Sequence, residues 1–364
     1  MRPTTRSTAL RVARGFVAVL LLLLVVAAFL PEIRSDRWWI RYAEFPHLQF
    51  LIATVVLLGL FAAIGGLRPG RGRVIGMAAV VAAAYQATQL LPFTPLAPFE
   101  AQGAANCRPE RTLRILSANV QAGNRDGEAV LGAIRSVDAD VVLLLETDAW
   151  WDQQIATLYD RYTHHVASQP RAAHYYGMQV LSRLPLMDPQ MLYLFDEATP
   201  TLDTRVTLRD GTPVRLIGLH PRPPLSEPQP TTLRDGTIAG MASRATTSTE
   251  PVIMAGDFNA VPWSPIVQLA KRVARVEDPR VGRGFIASFN AHSAWMRWPL
   301  DHILAQDSFT VLSFDRMGTT GSDHYPMLAT LCLNDRDGTR QAKPVAQGDR
   351  ARVEKAMEAA RASK

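Results

Sequence analysis

Cysteine is nearly absent: the 364 residues hold two, Cys107 and Cys332. They form no metal–thiolate spacing, so a zinc ribbon is excluded. There is no internal repeat. Basic excess is also missing where it would matter most. Residues 107–333 carry 21 Lys/Arg against 24 Asp/Glu, a net of −3, although the whole chain is +6. The positive charge lies in residues 1–106 and in the tail from Asn334 to Lys364. A broad basic face for gripping a nucleic-acid backbone is therefore not indicated.

Long apolar runs exist only before residue 94: Gly15–Leu30, Leu48–Leu67 and Val74–Phe93. Crossing the hydrocarbon core takes about 20 apolar residues, with a lower limit near 17. The second run fits best. The first is slightly short, and the third is Ala-rich and carries Gln86 and Gln89. Three transmembrane helices (15–30, 48–67, 74–93) are expected, making residues 1–93 a membrane anchor. Arginine bias orients it. Arg2, Arg6, Arg11 and Arg14 precede the first run, and Arg68, Arg71 and Arg73 separate the second from the third. Both segments are expected to be cytoplasmic, which makes the chain a multi-pass inner-membrane protein with its large domain on the periplasmic, extracytoplasmic side. A cleaved signal peptide for the first run leaves that side unchanged. No charge within the runs marks a transport path. An exported domain is open to oxidation, so Cys107 and Cys332 either close it with a disulfide or remain two free thiols.

Residues 94–110 read as a linker and 111–333 as a soluble domain. Strands are expected at Thr112–Val120, Val141–Leu145, Met178–Leu181, Val214–Leu219, Val252–Ala255, His302–Ala305 and Met327–Leu333. Helices fit at Gly127–Val137, Trp151–Tyr159, Leu233–Ala245 and Ile266–Arg272. This mixture predicts an α/β or α+β domain with packed sheets. Pro221–Pro230 is a Pro-rich loop. The polar tail 334–364 is expected to be disordered, with a helix near Ala351–Ala362.

Polar residues recur at the ends of the apolar strands. Asn119 ends the first, Glu146 the second, and His220 follows Val214–Leu219. Asp257 and Asn259 follow Val252–Met254. Asp301 begins the next strand, and Asp323 and His324 precede the last. Each has a bland reading alone: a solvated strand end, a satisfied core histidine, or a turn in the case of Gly256-Asp257-Phe258-Asn259. Together they place carboxylates, amides and imidazoles where a hard divalent cation and a phosphate need them.

In Leu116–Val120, Leu144–Thr147, Leu181–Pro185, Gly218–Pro221, Gly256–Ala260, Leu300–Ile303 and Ser322–Pro326 the chain resembles the endonuclease/exonuclease/phosphatase superfamily, the DNase I-like fold. The resemblance covers about 111–333 and implies a four-layer α-β-β-α sandwich. It implies Mg²⁺, with Mn²⁺ as an alternative, held by Glu146 with Asn119 and Asp323. It further implies that Asp257 orients or deprotonates the attacking water, that Asn259 and His220 contact the scissile phosphate, and that Asp301 orients His324. Whether Asp257 or His324 is the base stays open. The implied activity is hydrolysis of a phosphoester (nucleic acid, phospholipid or small molecule) by a phosphodiesterase, nuclease or phosphatase. The alternative is a non-catalytic phosphate- or ligand-binding module. Substrate and lipid bilayer are the partners implied; no protein partner is indicated. One departure stands out: Ser288-Phe289-Asn290 occupies the place where many relatives have Thr-Trp-Pro.

Overall fold

The computed structural model describes residues 5–168, 176–224, 230–334 and 345–363. The chain divides into two units, Met1–Pro92 and Phe93–Lys364.

The first unit holds helices α1 (Thr5–Phe29), α2 (Trp38–Tyr42), α3 (His47–Ala63) and α4 (Arg71–Leu90). Val17 and Leu21 of α1, Phe61 of α3 and Ala79 of α4 form its core. Among the described residues, two helical stretches, Thr8–Glu32 and Arg71–Phe93, are long and apolar enough to cross a membrane. The expected ranking of the runs is corrected here. The run that looked best, 48–67, is helical for only 17 residues, because the chain turns at Gly65-Gly66, with Gly65 at φ 70°. The Ala-rich third run is the longer helix, since alanine is the strongest helix former.

The second unit contains two six-stranded sheets. One comprises β1 (Thr112–Asn119), β2 (Val141–Leu145), β3 (His164–Ser168), β4 (Met178–Ser182), β11 (Phe309–Arg316) and β12 (Met327–Leu333), in the order β11-β12-β1-β2-β4-β3. The other comprises β5 (Leu186–Leu192), β6 (Thr201–Thr207), β7 (Pro213–Leu219), β8 (Val252–Asp257), β9 (Val276–Glu277) and β10 (Asp301–Gln306), in the order β5-β6-β7-β8-β10-β9.

Side chains alternate between the faces of a strand. Leu113, Ile115, Val141, Leu143 and Leu145 therefore face Val214, Leu216, Ile253, Ala255 and Ile303 across the inter-sheet core. Leu116, Val142 and Leu144 point the other way, onto α5 (Gly127–Val137) and α6 (Ala149–Ile155). Ile217, Leu219, Met254 and Leu304 pack on α7 (Thr232–Ala245) and α8 (Pro265–Ala274). The result is four layers, α-β-β-α.

Strands β3, β5, β6, β9 and β11 were not foreseen. β5 reads Leu-Met-Asp-Pro-Gln-Met-Leu and is largely exposed, and β6 is buried but reads Thr-Leu-Asp-Thr-Arg-Val-Thr, so neither carries an unbroken apolar run. Two other expectations are corrected. The segment 94–110 is not a free linker. Ala101 lies in the inter-sheet core, Glu100 accepts from Lys271 Nζ at 2.6 Å and Asp278 N at 2.9 Å, and Gly103 bridges to Val311. Nor is the tail disordered throughout. The foreseen helix, α9 (Gln347–Ala362), docks on the α7 layer through Val353 and Ala360. Gly236 of α7 permits the close approach, since a Cβ there would sit 2.3 Å from the Ala360 methyl. Residues 335–344 of the tail, and 225–229 of the Pro-rich loop, lie outside the described residues.

Cys107 and Cys332 form a disulfide with Cα atoms 5.7 Å apart. It ties the segment before β1 to the strand that pairs with β1. A cross-link closing so long a loop restricts the unfolded chain and contributes about 2–5 kcal/mol. Cys332→Ser, or reduction, is expected to lower the melting temperature by about 5–10 °C. Scanning calorimetry with and without reductant checks this, and an unchanged transition would count against it.

Candidate active site

Strand direction brings the polar residues to one rim. β1 and β2 run parallel, as do β7 and β8, so Asn119, Glu146, His220 and Asp257 all lie at or just past C-terminal strand ends. β10 is antiparallel to β8, which sets Asp301 directly opposite Asp257 in register. β12 is antiparallel to β1 and starts opposite Ser117, so Ser322–His324 arrive at the same rim.

The pleat then chooses the face. Asn119 shares parity with Leu113 and Ile115, Asp257 with Ile253 and Ala255, Asp301 with Ile303, and His220 with Leu216; all four turn toward the inter-sheet side. Glu146 has the wrong parity after Leu145. It recovers through a left-handed backbone, φ 61°, a conformation that costs an L-residue energy. Gly256 (φ 131°) lies against Leu219, whose carbonyl oxygen would be 2.0 Å from a Cβ, so only glycine fits before Asp257.

The side chains form a continuous set. Asn119 Nδ2 donates to Glu146 Oε1 at 2.8 Å and to Asp257 Oδ2 at 3.2 Å. Ala122 N donates to Glu146 Oε2 at 3.0 Å, and Asn259 N to Asp257 Oδ1 at 2.8 Å. His220 Nε2 lies 3.8 Å from Glu146 Oε1 and 3.9 Å from Asp257 Oδ2. His324 Nδ1 meets Asp301 Oδ2 at 2.7 Å, and its Nε2 faces Asp257 Oδ2 at 3.5 Å. Asp257, Asp301 and His324 are all buried, while Glu146 and Asp323 are half-buried.

The electrostatics follow from burial and pairing. Burial pushes the Asp257 carboxyl up to about 7; the His324 cation opposes the rise and Asp301 adds to it. Burial alone would lower the His324 imidazole. The charges of Asp301 and Asp257 and the Asp301 hydrogen bond outweigh it and carry the group up to about 10. Asp301 is held below the carboxylate range despite burial, by the same cation and hydrogen bond. Burial lowers His220, against the pull of Glu146, so that imidazole is neutral. Asp323 is raised, first by burial and in part by the nearby Glu146 charge.

These contacts test the expected metal ligands. Glu146 and Asp323 repel each other, and no Lys or Arg pairs with either among the described residues. Two such oxygen donors suit a hard divalent cation. Asp257, Asp301 and His324 also present ligand atoms within 4.8 Å of one another. That trio is the poorer cation site, because the Asp301 and Asp257 charges hold His324 as a cation, whose Nε2 then carries a proton and has no lone pair for a metal. Asn119 is the third expected ligand. Its Oδ1 accepts from Gln121 N at 3.0 Å, so its NH₂, a donor, is what faces the carboxylates.

Asn259 Nδ2 donates to Pro221 O at 2.9 Å and braces the His220 loop. Three further residues support the set. Ser322 Oγ donates to Asn119 O at 2.8 Å and accepts from His324 N at 3.0 Å. Gln121 Oε1 accepts from Asp323 N at 3.1 Å. Ser288 Oγ accepts from Leu300 N and Asp301 N at 3.1 and 2.9 Å. The departure at Ser288-Phe289 was the signal for the last of these, and the Phe289 ring lies 4.9 Å from His324. Arg183 pairs with Asp138 and Asp140 instead of reaching the rim. Buried Arg234 donates to Asn259 O at 3.0 Å. The Tyr176 ring lies 5.6 Å from His220, whereas Tyr175 is outside the described residues.

A family model described as "Endonuclease/Exonuclease/phosphatase family" matches residues 116–324. A conserved protein of unknown function from Enterococcus faecalis is 17% identical, with a TM-score of 0.50 over 61% of this chain and 100% of its own. An endonuclease/exonuclease/phosphatase from Beutenbergia cavernae is 18% identical, with a TM-score of 0.50 over 62% of this chain and 72% of its own. No curated protein matches.

Proposed function

Since this chain belongs to the endonuclease/exonuclease/phosphatase family, we propose that its second unit is a divalent-metal-dependent phosphoester hydrolase, tethered to a membrane by the apolar N-terminal helices and working on the extracytoplasmic side. The observation that carries this reading is the line Asp301–His324–Asp257, with spacings of 2.7 and 3.5 Å, set beside the acidic pair Glu146 and Asp323.

Glu146 and Asp323 would hold Mg²⁺ or Mn²⁺, with Asn119 orienting Glu146 through its NH₂. The ion would supply Lewis-acid stabilisation of phosphoryl charge. Asp257 takes the proton of the attacking water. Asn119 and the Asn259 amide fix its carboxylate, and a carboxyl near 7 is a far better proton acceptor than an ordinary one. His324, whose Nδ1 meets Asp301 at 2.7 Å and which that carboxylate favours in its protonated form, takes the other role. It serves as a fixed cation for the developing charge on a phosphoryl oxygen. Neutral His220, 3.8–3.9 Å from Glu146 and Asp257, is placed to donate a hydrogen bond to the same phosphoryl group.

The pH dependence follows from the signs. Asp257 works deprotonated, so kcat/KM is expected to rise through pH about 7. His324 works protonated, so the rate is expected to fall through about 10. A pH–rate profile checks both limbs, and an optimum below pH 5 would contradict the assignment. The activity itself is tested with the purified chain, Mg²⁺ or Mn²⁺, and a panel of DNA, RNA, phospholipids and phosphomonoesters. Hydrolysis of none of them would remove the reading.

A further inference from the structure

Strand β10 has a second face. There His302 is fully buried beside Asp278 and Arg280, which are 0% and 1% exposed. Arg280 carries five side-chain N–H donors, and the surroundings supply an acceptor for each. Its Nε and Nη2 take the two Asp278 oxygens, both at 2.9 Å. Nη2 also meets His302 Nδ1 at 2.6 Å. Nη1 reaches Asp301 O at 3.1 Å and Pro299 O at 3.4 Å. A guanidinium cannot accept, so His302 Nδ1 is unprotonated. Its Nε2–H therefore donates to Ala260 O at 2.8 Å. Burial, with the Arg280 charge, pushes this imidazole down to about 3, which keeps it neutral.

Ala260 closes the turn that follows Asp257, and Asp301 O belongs to the residue that holds His324. One buried cation thus touches both carboxylate-bearing segments, directly or through a single imidazole. Stability alone does not account for it, since well-packed apolar residues commonly replace a buried ion pair at no loss. We propose that Arg280, gripped by Asp278 and acting through His302, is a positioning residue that sets the spacing between Asp257 and the Asp301–His324 pair. The proposal rests on the hydrolase reading above.

The test uses the full chain and three variants. Asp278→Leu/Arg280→Met removes the ion pair while keeping volume. His302→Leu removes both imidazole contacts, and His302→Gln keeps a donor for Ala260. The double variant and His302→Leu are expected to melt close to the wild type, with kcat reduced at least about 30-fold and KM within about twofold. His302→Gln is expected to recover to within about threefold of the wild-type kcat. In hydrogen–deuterium exchange, amides of 256–260 are expected to exchange at least about tenfold faster in His302→Leu but not in His302→Gln, with β1 and β2 unchanged. A folded double variant with wild-type kcat, or exchange that rises evenly over the domain, would overturn the proposal. If the wild type hydrolyses no substrate, the hydrolase reading fails, and the exchange measurement still decides whether Arg280 and His302 position the turn.

Discussion

Glu146→Ala is expected to lower metal-stimulated hydrolysis by about 10³-fold or more, the loss of roughly 4 kcal/mol of transition-state stabilisation. The side chain has little freedom: Asn119 Nδ2 holds one oxygen and Ala122 N the other. The one basic side chain within ion-pair distance of it among the described residues is His220 at 3.8 Å, and burial favours the neutral form of that ring. The charge of Glu146 therefore remains uncompensated until a cation arrives. Glu146→Gln is the sharper variant, because the amide is nearly isosteric and lacks only the charge. It is expected to fold normally, to be as inactive as the alanine variant, and to lose Mn²⁺ binding in titration calorimetry. Either variant turning over at the wild-type rate would remove Glu146 from the metal site.

The second large effect is expected at Asp301. In Asp301→Asn the carboxylate that holds the His324 proton is gone. The imidazole keeps the Asp257 charge but loses its strongest partner, so burial shifts it toward the neutral form. Losing one fixed cation at the phosphoryl group is expected to cost about 10²–10³-fold in kcat, with KM little changed because the substrate still meets His220 and the metal site. A large rise in KM at constant kcat would show that Asp301 serves binding instead. His324→Ala removes the other partner and leaves Asp301 buried without a counter-charge, a loss of about 3–5 kcal/mol of stability. Asp301 is depressed, so its contribution is present above the unfolded carboxyl value and lost as pH falls through the folded one. His324 is raised, so its contribution is complete below about 6.5 and lost as pH rises through about 10. The wild-type advantage in melting temperature over His324→Ala is thus expected to be greatest between about pH 4 and 6.5.

Runs such as Val141–Leu145 and Val252–Ala255 announce buried strands because a sheet covered on both faces needs apolar side chains at every position. The polar residue that ends each run is equally visible, since Asn119, Asp257 and Asp301 break an otherwise apolar pattern. β5 and β6 were illegible because their core contacts, Leu202 and Val206 with Leu186 and Met191 beside them, are separated by polar residues, and the strands are defined by pairing with one another and with β7. The docking of α9 was hidden for a related reason. Few of its residues are buried, and the groove that receives them is created by Gly236, more than a hundred positions earlier.

By itself, then, the sequence determined the family, the chemical identity of the rim residues and the alternation of faces along the seven apolar strands, because pleat parity and side-chain chemistry are local properties of the chain. Tertiary structure alone decided that Asn119 offers its donor and not its oxygen, that Ser288 and Arg280 stand behind Asp301, and that Cys107 reaches Cys332. It also decided the protonation of Asp257 and His324. Burial and the distance to another charge set those states, and both are properties of segments remote in sequence that meet only when the two sheets close on each other.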